Sequence, residues 1–256
     1  MASVFVTGSS DGIGRETAAT LARAGHRVTL HARSAHRAEQ AREAVPSAVG
    51  VLVGDLASLA ETRALAAAAT EAGPFDVVIH NAGVYTFPER AETRDGLERV
   101  FQINVLAPYL LTALLPRPRR LVYLSSGGQA SGEIALEDLQ FRRRPWSGLQ
   151  AYCDSKLHDV LLAFAVARRW PEVISNAVDP GWVRSRMGGS AAPDSVADGA
   201  DTPVWLASSD EQAAVVSGRY LSGRRARTPH HAAADPAVQD ALLAACAALT
   251  GVELPS

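Results

Sequence analysis

Ser3-Val4-Phe5-Val6-Thr7-Gly8-Ser9-Ser10-Asp11-Gly12-Ile13-Gly14 stands at the head of the chain, and its reading decides the fold. The first four residues are a short apolar run of strand type, and the alanine-rich stretch over 15–24 that follows has helical spacing. A strand, a glycine turn and a helix start in immediate succession make an anion site, because the first turn of a helix presents unpaired N–H groups. Gly8 suits the tight turn, Gly12 lets backbone approach a pyrophosphate, and Gly14 permits close packing of helix on strand. A glycine cluster serving only as a turn is the competing reading.

Outward from this unit, strands and helices alternate. Short apolar runs bounded by turn residues predict further strands over 26–32, 48–53, 75–80, 120–124, 173–178 and 218–221. Helical patterns fall over 58–72, 97–115 and 148–170, and a C-terminal tail helix over about 236–249 has Gly251 as its stop. Strict alternation predicts an α/β fold with a parallel sheet covered on both faces, and right-handed crossovers make it a single doubly wound, Rossmann-like sheet. A length of 256 residues suits one domain over 1–256.

Composition narrows the function classes. A net charge of −2 leaves no basic excess for nucleic acid. Two cysteines, Cys153 and Cys246, make neither a disulfide framework nor a metal cluster. No apolar stretch reaches the roughly 18 residues of a membrane span, and the first strand begins where a signal peptide would lie. The expectation is a cytoplasmic protein without membrane, nucleic acid or metal; monomer and homo-oligomer stay equally open.

Tyr152-Cys153-Asp154-Ser155-Lys156 carries the chemistry. On a helix, positions i and i+4 share a face, so the phenol and the ammonium meet. A phenol is mostly protonated near neutral pH, and a neighbouring cation is what lets it exchange a proton in both directions. A surface pair of no function is the alternative for these two residues taken alone.

The glycine pattern T-G-x-x-x-G-I-G, then Asn81-Ala82-Gly83, then Tyr-x-x-x-Lys together resemble the short-chain dehydrogenase/reductase family, over nearly the whole chain. Asp55-Leu56, Asn104, Ser125-Ser126 and Pro180-Gly181-Trp182-Val183 occur in the family's order. The resemblance implies a strand order 3-2-1-4-5-6-7 and an NAD(P)-dependent oxidoreductase that moves a hydride between nicotinamide and a carbonyl or alcohol. It makes Tyr152 the proton donor, Ser126 the group that orients the substrate oxygen, Lys156 the holder of the ribose hydroxyls, and Asn104 the organiser of water behind the lysine. The implied cofactor surface consists of Gly8, Ser10, Gly12, Ile13 and Gly14, of Asp55 and Leu56 near the adenine, and of Asn81, Ala82 and Gly83. Pro180, Gly181, Val183 and Ser185 complete it at the nicotinamide amide, where serine replaces the family's threonine and keeps the hydroxyl. Asp55 as a helix N-cap and Asn81 as a plain turn residue remain open alternatives.

At the end of the second strand stands His31-Ala32-Arg33-Ser34, where an NAD-specific chain would carry a carboxylate for the ribose 2′-OH. Arg33 can pair with a 2′-phosphate, so NADP is favoured over NAD. Asp11 in the glycine loop works against that field, and Arg37 can offset it. Between Ser126 and Tyr152 the interval is about twice the commonest family spacing, and the insertion over about 129–148 resembles the retinol-dehydrogenase-like branch. Together with Phe87, Trp146, Trp182 and Met187 in neighbouring loops, it points to a small lipophilic substrate. Arg142-Arg143-Arg144 reads as a solvated charge run, with an acidic substrate as the other use. An epimerase or dehydratase of the extended branch and a non-catalytic NAD(P)-sensing module are the remaining classes. The former uses a different glycine spacing and a longer C-terminal domain, and the latter has no need of Tyr152 and Lys156.

Overall fold

The computed structural model describes residues 1–85 and 87–256. One sheet of eight strands organises them, in the order β3-β2-β1-β4-β5-β6-β7-β8. Its members are β1 (Ser3–Val6), β2 (Arg27–Ala32), β3 (Gly50–Val53), β4 (Val77–His80), β5 (Arg120–Leu124), β6 (Ile174–Val178), β7 (Arg219–Ser222) and β8 (Arg225–Arg227). The first seven are parallel throughout, in the order the resemblance implied. Around them run α1 (Gly12–Arg23), α2 (Ala35–Ala44), α3 (Leu59–Ala72), α4 (Arg99–Phe101), α5 (Ala107–Leu114), α6 (Gly148–Arg169), α7 (Val196–Ser208) and α8 (Pro236–Thr250). No helix among the described residues is long and apolar enough to cross a membrane.

Strand periodicity divides the core. Phe5 faces one side of β1, packed with Leu65, Phe75, Tyr109, Leu121 and Leu161 under α3, α5 and α6. Val4 and Val6 face the other side, with Leu21, Leu30, Ile79 and Leu206 under α1 and α7. Both faces of the sheet are therefore sealed, and only the strand ends are left for a ligand.

Three features depart from the sequence expectation. The eighth strand pairs antiparallel with β7, through a two-residue turn in which Gly223 (φ 57°) and Arg224 (φ 58°) are both left-handed, as a type I′ hairpin requires. A left-handed arginine is strained. It is held by its backbone N–H on Thr202 Oγ1 at 3.0 Å and its Nε on Asp201 at 2.7 Å. Second, the helix expected over 97–115 is interrupted: Glu98 caps α4 by accepting from Val100 and Phe101 N–H, at 2.8 and 2.7 Å, and a π turn over Gln102–Leu106 leads into α5. Third, the arginine run is a solvated face only in part, with Arg142 and Arg143 exposed and Arg144 half-buried. The Asp138 carboxylate gathers the backbone N–H groups of Arg142, Arg143 and Arg144 at 2.7, 3.2 and 2.8 Å. Burial would push that carboxyl up, but these donors and the Arg144 guanidinium outweigh it and hold it below its usual range. Arg144 also pairs with Asp154 of α6 at 3.0 Å, which docks the insertion onto the helix that carries Tyr152.

Candidate active site

At the carboxyl ends of the parallel strands lies a cleft of about 480 Å³. Its floor at the N-terminal side is the glycine loop. Gly12 is left-handed (φ 53°) at the start of α1, which Asp11 caps by accepting from Gly12 N–H at 2.8 Å. Gly14 is required by its neighbour rather than by its backbone angles, since a β-carbon there would lie 2.2 Å from Asn81 Nδ2. That amide donates to the carbonyls of Thr7 and Gly8 at 2.9 and 3.1 Å and so ties β1 to the end of β4. Gly14→Ala must displace Asn81, losing two hydrogen bonds and overpacking the turn, and is expected to cost about 2–4 kcal/mol, read as a lower denaturant midpoint.

His31, the next-to-last residue of β2, braces the loop from below. Its Nδ1 accepts from Gly8 N–H at 2.9 Å, so the proton sits on Nε2, which donates to Gly54 carbonyl at 2.9 Å. Burial holds its pKa below the ordinary histidine value, against the Gly54 bond and Asp55. Beyond it, exposed Arg33 lines the cleft, and Ser34 caps α2. The Asp11 carboxylate lies 3.5 Å from both Arg37 and Arg186. Its charge is thereby shared by two arginines at the mouth, and Arg33 is left without an acidic partner among the described residues.

Ser10, Ile13, Leu56, Ala82, Gly83, Pro180 and Ser185 also line the cleft, as does Asp55. Asp55 is not a helix N-cap: Ser58 caps α3, and Asp55 accepts from Ala57 N–H at 3.0 Å through Oδ1, while Oδ2 has no hydrogen-bond partner among the described residues. Gly181 and Val183 do not line the cleft. Gly181 (φ 84°) turns the chain after β6, and Val183 is buried in a bridge with Asp194 that closes the base of the following loop.

Tyr152 and Lys156 share one face of α6, with Lys156 Nζ 5.8 Å from the centre of the phenol ring. Tyr85, from the loop after β4, meets that ring edge-on at 4.7 Å. Lys156 Nζ donates to Leu124 carbonyl at 2.7 Å and to Asp159 Oδ2 at 2.8 Å. Burial would lower the lysine pKa, and the Asp159 carboxylate, with Tyr152 beside it, more than reverses this. Asp159 in turn is pushed up to about 6 by burial, with Lys156 opposing. Each partner's charge favours the charged form of the other.

Ser126 is half-buried and accepts from Gly128 N–H at 3.2 Å, at the side of Gly128 that also faces the Tyr152 ring. Its neighbour Ser125 is buried and lines the cleft, but its hydroxyl donates to Lys156 carbonyl at 2.7 Å; Ser126 stands next to the lining rather than in it. Asn104 stands across Gly83 from the lysine amine. It lies in the π turn, fully buried, with Oδ1 accepting from Val84 N–H at 2.8 Å and Nδ2 donating to Val84 carbonyl at 3.0 Å and Ser155 Oγ at 2.9 Å. A β-carbon at Gly83 would lie 3.4 Å from Asn104 Oδ1 and 3.6 Å from Lys156 Nζ, so Asn104 and the lysine amine flank Gly83.

Of the four large apolar residues expected around the substrate, Phe87 and Met187 line the cleft. Trp146 instead packs edge-on to Phe141 at 5.3 Å and donates to Phe87 carbonyl at 3.2 Å. Trp182 lies 58% exposed, bonded through Nε1 to Gly188 carbonyl at 2.9 Å. Tyr85, Ile103 and Arg186 line the cleft without having been singled out in the sequence.

A glycine loop at the head of a parallel sheet, joined by one cleft to a half-buried tyrosine and a buried lysine, defines a dinucleotide-dependent oxidoreductase. The family model for short chain dehydrogenase matches residues 2–195, and the chain belongs to that family of NAD(P)-dependent enzymes. An uncharacterised oxidoreductase of Emericella nidulans is 42% identical, covering 100% of this chain and 99% of its own length. Retinol dehydrogenase 13 of Homo sapiens is 34% identical, covering 99% of this chain and 86% of its own, in line with the retinol-dehydrogenase-like branch. A crystal structure of an uncharacterised protein from Mycobacterium paratuberculosis has a TM-score of 0.87 at 31% identity, covering 100% of this chain and 96% of that one.

Proposed function

We propose that this enzyme is an NADP-dependent carbonyl reductase or alcohol dehydrogenase for a small lipophilic substrate. The observation that carries the reading is the cleft itself, which has Arg33 at one end and Tyr152 over Lys156 at the other, beside an apolar end formed by Phe87, Ile103 and Met187. The open backbone at Gly12 and the helix N-terminus behind it suit a pyrophosphate. Asp55 would accept from the adenine, and Gly8, Ser10, Ile13, Leu56, Asn81, Ala82 and Gly83 would shape the wall of the dinucleotide site. Pro180 and Ser185 would border the nicotinamide.

When bound, the nicotinamide supplies or takes the hydride. Ser126 would hold the substrate oxygen by a hydrogen bond while Tyr152 gives it a proton in reduction and takes one in oxidation. Lys156 would offset the charge left on the phenol, and its remaining N–H would face the ribose. Tyr85, packed against the phenol, limits its rotation and keeps water from one edge. Retinol dehydrogenase 13, whose name gives a lipophilic alcohol as its substrate, is consistent with the apolar end of the cleft.

Oxidation of NADPH, followed against a panel of apolar ketones, aldehydes and quinones beside their short polar analogues, tests the reading. The apolar members are expected to give kcat/KM at least about tenfold above the polar ones, the worth of one or two buried methylenes. Turnover confined to polar sugars or hydroxy acids would overturn it.

A further inference from the structure

The charge state of Lys156 depends on a residue outside the motif that singles the lysine out. Its side chain is 7% exposed and that of Asp159 is 3% exposed, one helical turn further along α6. An ammonium buried this deeply, without a counter-charge, gives up its proton instead of paying the cost of desolvation. Among the described residues Asp159 is the only acidic side chain within ion-pair distance of Nζ. The Leu124 carbonyl takes a second N–H at 2.7 Å, so the two acceptors orient the group and leave one of its three N–H bonds for the cleft.

The other titratable groups packed here cannot replace that carboxylate. Tyr123 of β5 lies near Asp159 with its hydroxyl bonded to Thr112 at 2.7 Å, and burial pushes it up, so it stays a neutral phenol. His80 of β4 bonds Thr112 from the far side at 3.0 Å and is driven by burial down to about 3, so it is a neutral imidazole. Among the described residues, Tyr152 is the only other titratable neighbour that acts on the ammonium. Lys156 is also the only lysine in a chain of 256 residues whose other long cationic side chains are all arginine. Unlike arginine, a buried lysine can lose its charge.

We infer that Asp159 is a positioning residue of the active site, which keeps the buried Lys156 ammonium charged and aims its free N–H at the cleft. The inference rests on the acid–base reading of Tyr152 and Lys156 proposed above.

Because the chain holds a single lysine, protein labelled with ¹⁵N at lysine Nζ gives one side-chain signal, whose shift reports the charge directly. Wild type is expected to keep the ammonium through about pH 9, whereas Asp159→Asn, which keeps the shape and an acceptor oxygen, should titrate at about pH 7 or below, a buried lysine without a counter-charge falling by about 3–5 units. In parallel, kcat/KM of Asp159→Asn should fall at least about tenfold at pH 8 and less than about threefold at pH 6, because a lysine titrating near pH 7 is about one-tenth charged at pH 8 and about nine-tenths charged at pH 6. Asp159→Glu should restore much of the loss. A merely structural role would lower activity by one factor at every pH and leave the lysine signal as in wild type, and either result overturns the inference. Asp159→Ser serves as a second neutral variant should the amide fail to fold, and a wild-type Nζ that is neutral at pH 8 overturns the inference without any variant. The lysine signal does not depend on turnover, so an active Tyr152→Phe enzyme would remove the acid–base reading while the titration still judges what Asp159 does to Lys156.

Discussion

Replacing Tyr152 by Phe is expected to lower kcat by about 10²–10⁴, the usual worth of a positioned general acid, while NADPH binding persists. The substitution removes one oxygen and little else. The ring keeps its edge-on contact with Tyr85 at 4.7 Å, and the hydrogen bond from Ser155 Oγ goes to the Tyr152 backbone carbonyl, which Phe retains. α6 is anchored independently, by the docking of Asp154 onto Arg144 and Glu133 and by the burial of Leu157, Val160 and Leu161. Loss of rate with unchanged thermal unfolding and unchanged quenching by NADPH is therefore the expected pattern. A variant that keeps more than about a tenth of wild-type activity would falsify the assignment of Tyr152.

The second large effect is expected at Arg33. A 2′-phosphate carries close to two negative charges, and a charge-assisted pair with a guanidinium contributes about 1.5–3 kcal/mol, roughly 10- to 150-fold in affinity. Arg33→Ala should weaken NADPH by that factor and leave NADH nearly unchanged. Arg33→Asp should go further, because a carboxylate repels the phosphate and accepts from a free 2′-OH. The structure removes one objection to this preference. Asp11, the acidic residue of the glycine loop, has its carboxylate 3.5 Å from both Arg37 and Arg186, so its charge is shared before a cofactor arrives. Values of kcat/KM for both cofactors in wild type and the two variants decide the matter. Equal losses for NADPH and NADH in Arg33→Ala, or a wild type that prefers NADH, would show that Arg33 does not read the phosphate.

Local patterns made much of this architecture legible in the sequence. The apolar runs of β1, β2, β4, β5 and β6 are central parallel strands buried on both faces, so most residues in them are hydrophobic or small. The glycine loop and the Tyr152–Lys156 pair are likewise local, set by spacing within one turn or one helix. Contacts that join distant segments were harder to read. The clash that demands glycine at position 14 comes from Asn81, far along the chain, and the Ser125 hydroxyl at the cleft is occupied by a bond to the Lys156 carbonyl of α6. The β7–β8 hairpin was missed because Gly223-Arg224 lacks the asparagine or aspartate that usually marks such a turn, the left-handed arginine being held by Asp201 and Thr202 of α7. Arg142 to Arg144 looked like a charge run, although what Asp138 binds is their backbone. Asp159 was the most accessible omission: it stands three positions after Lys156, within reach on the same helix face, but only burial makes that spacing consequential.

The π turn over Gln102–Leu106 holds one residue more than a regular helix would use at that place. Each helical residue turns the chain by about 100°, so the extra one sets the rotation between the segment capped by Glu98 and the apolar barrel of α5. Asn104 reaches both Val84 and Ser155 from within that widened turn. Deleting a single residue there would make the helix regular, yet it would swing Glu98 and its cap about a quarter of the way round the axis and unlatch the loop carrying Tyr85 from α6. In this stretch length is under tighter constraint than side-chain identity: a homologue could exchange Ile103 for another apolar residue at little cost, whereas losing one position would require the cleft wall to be rebuilt.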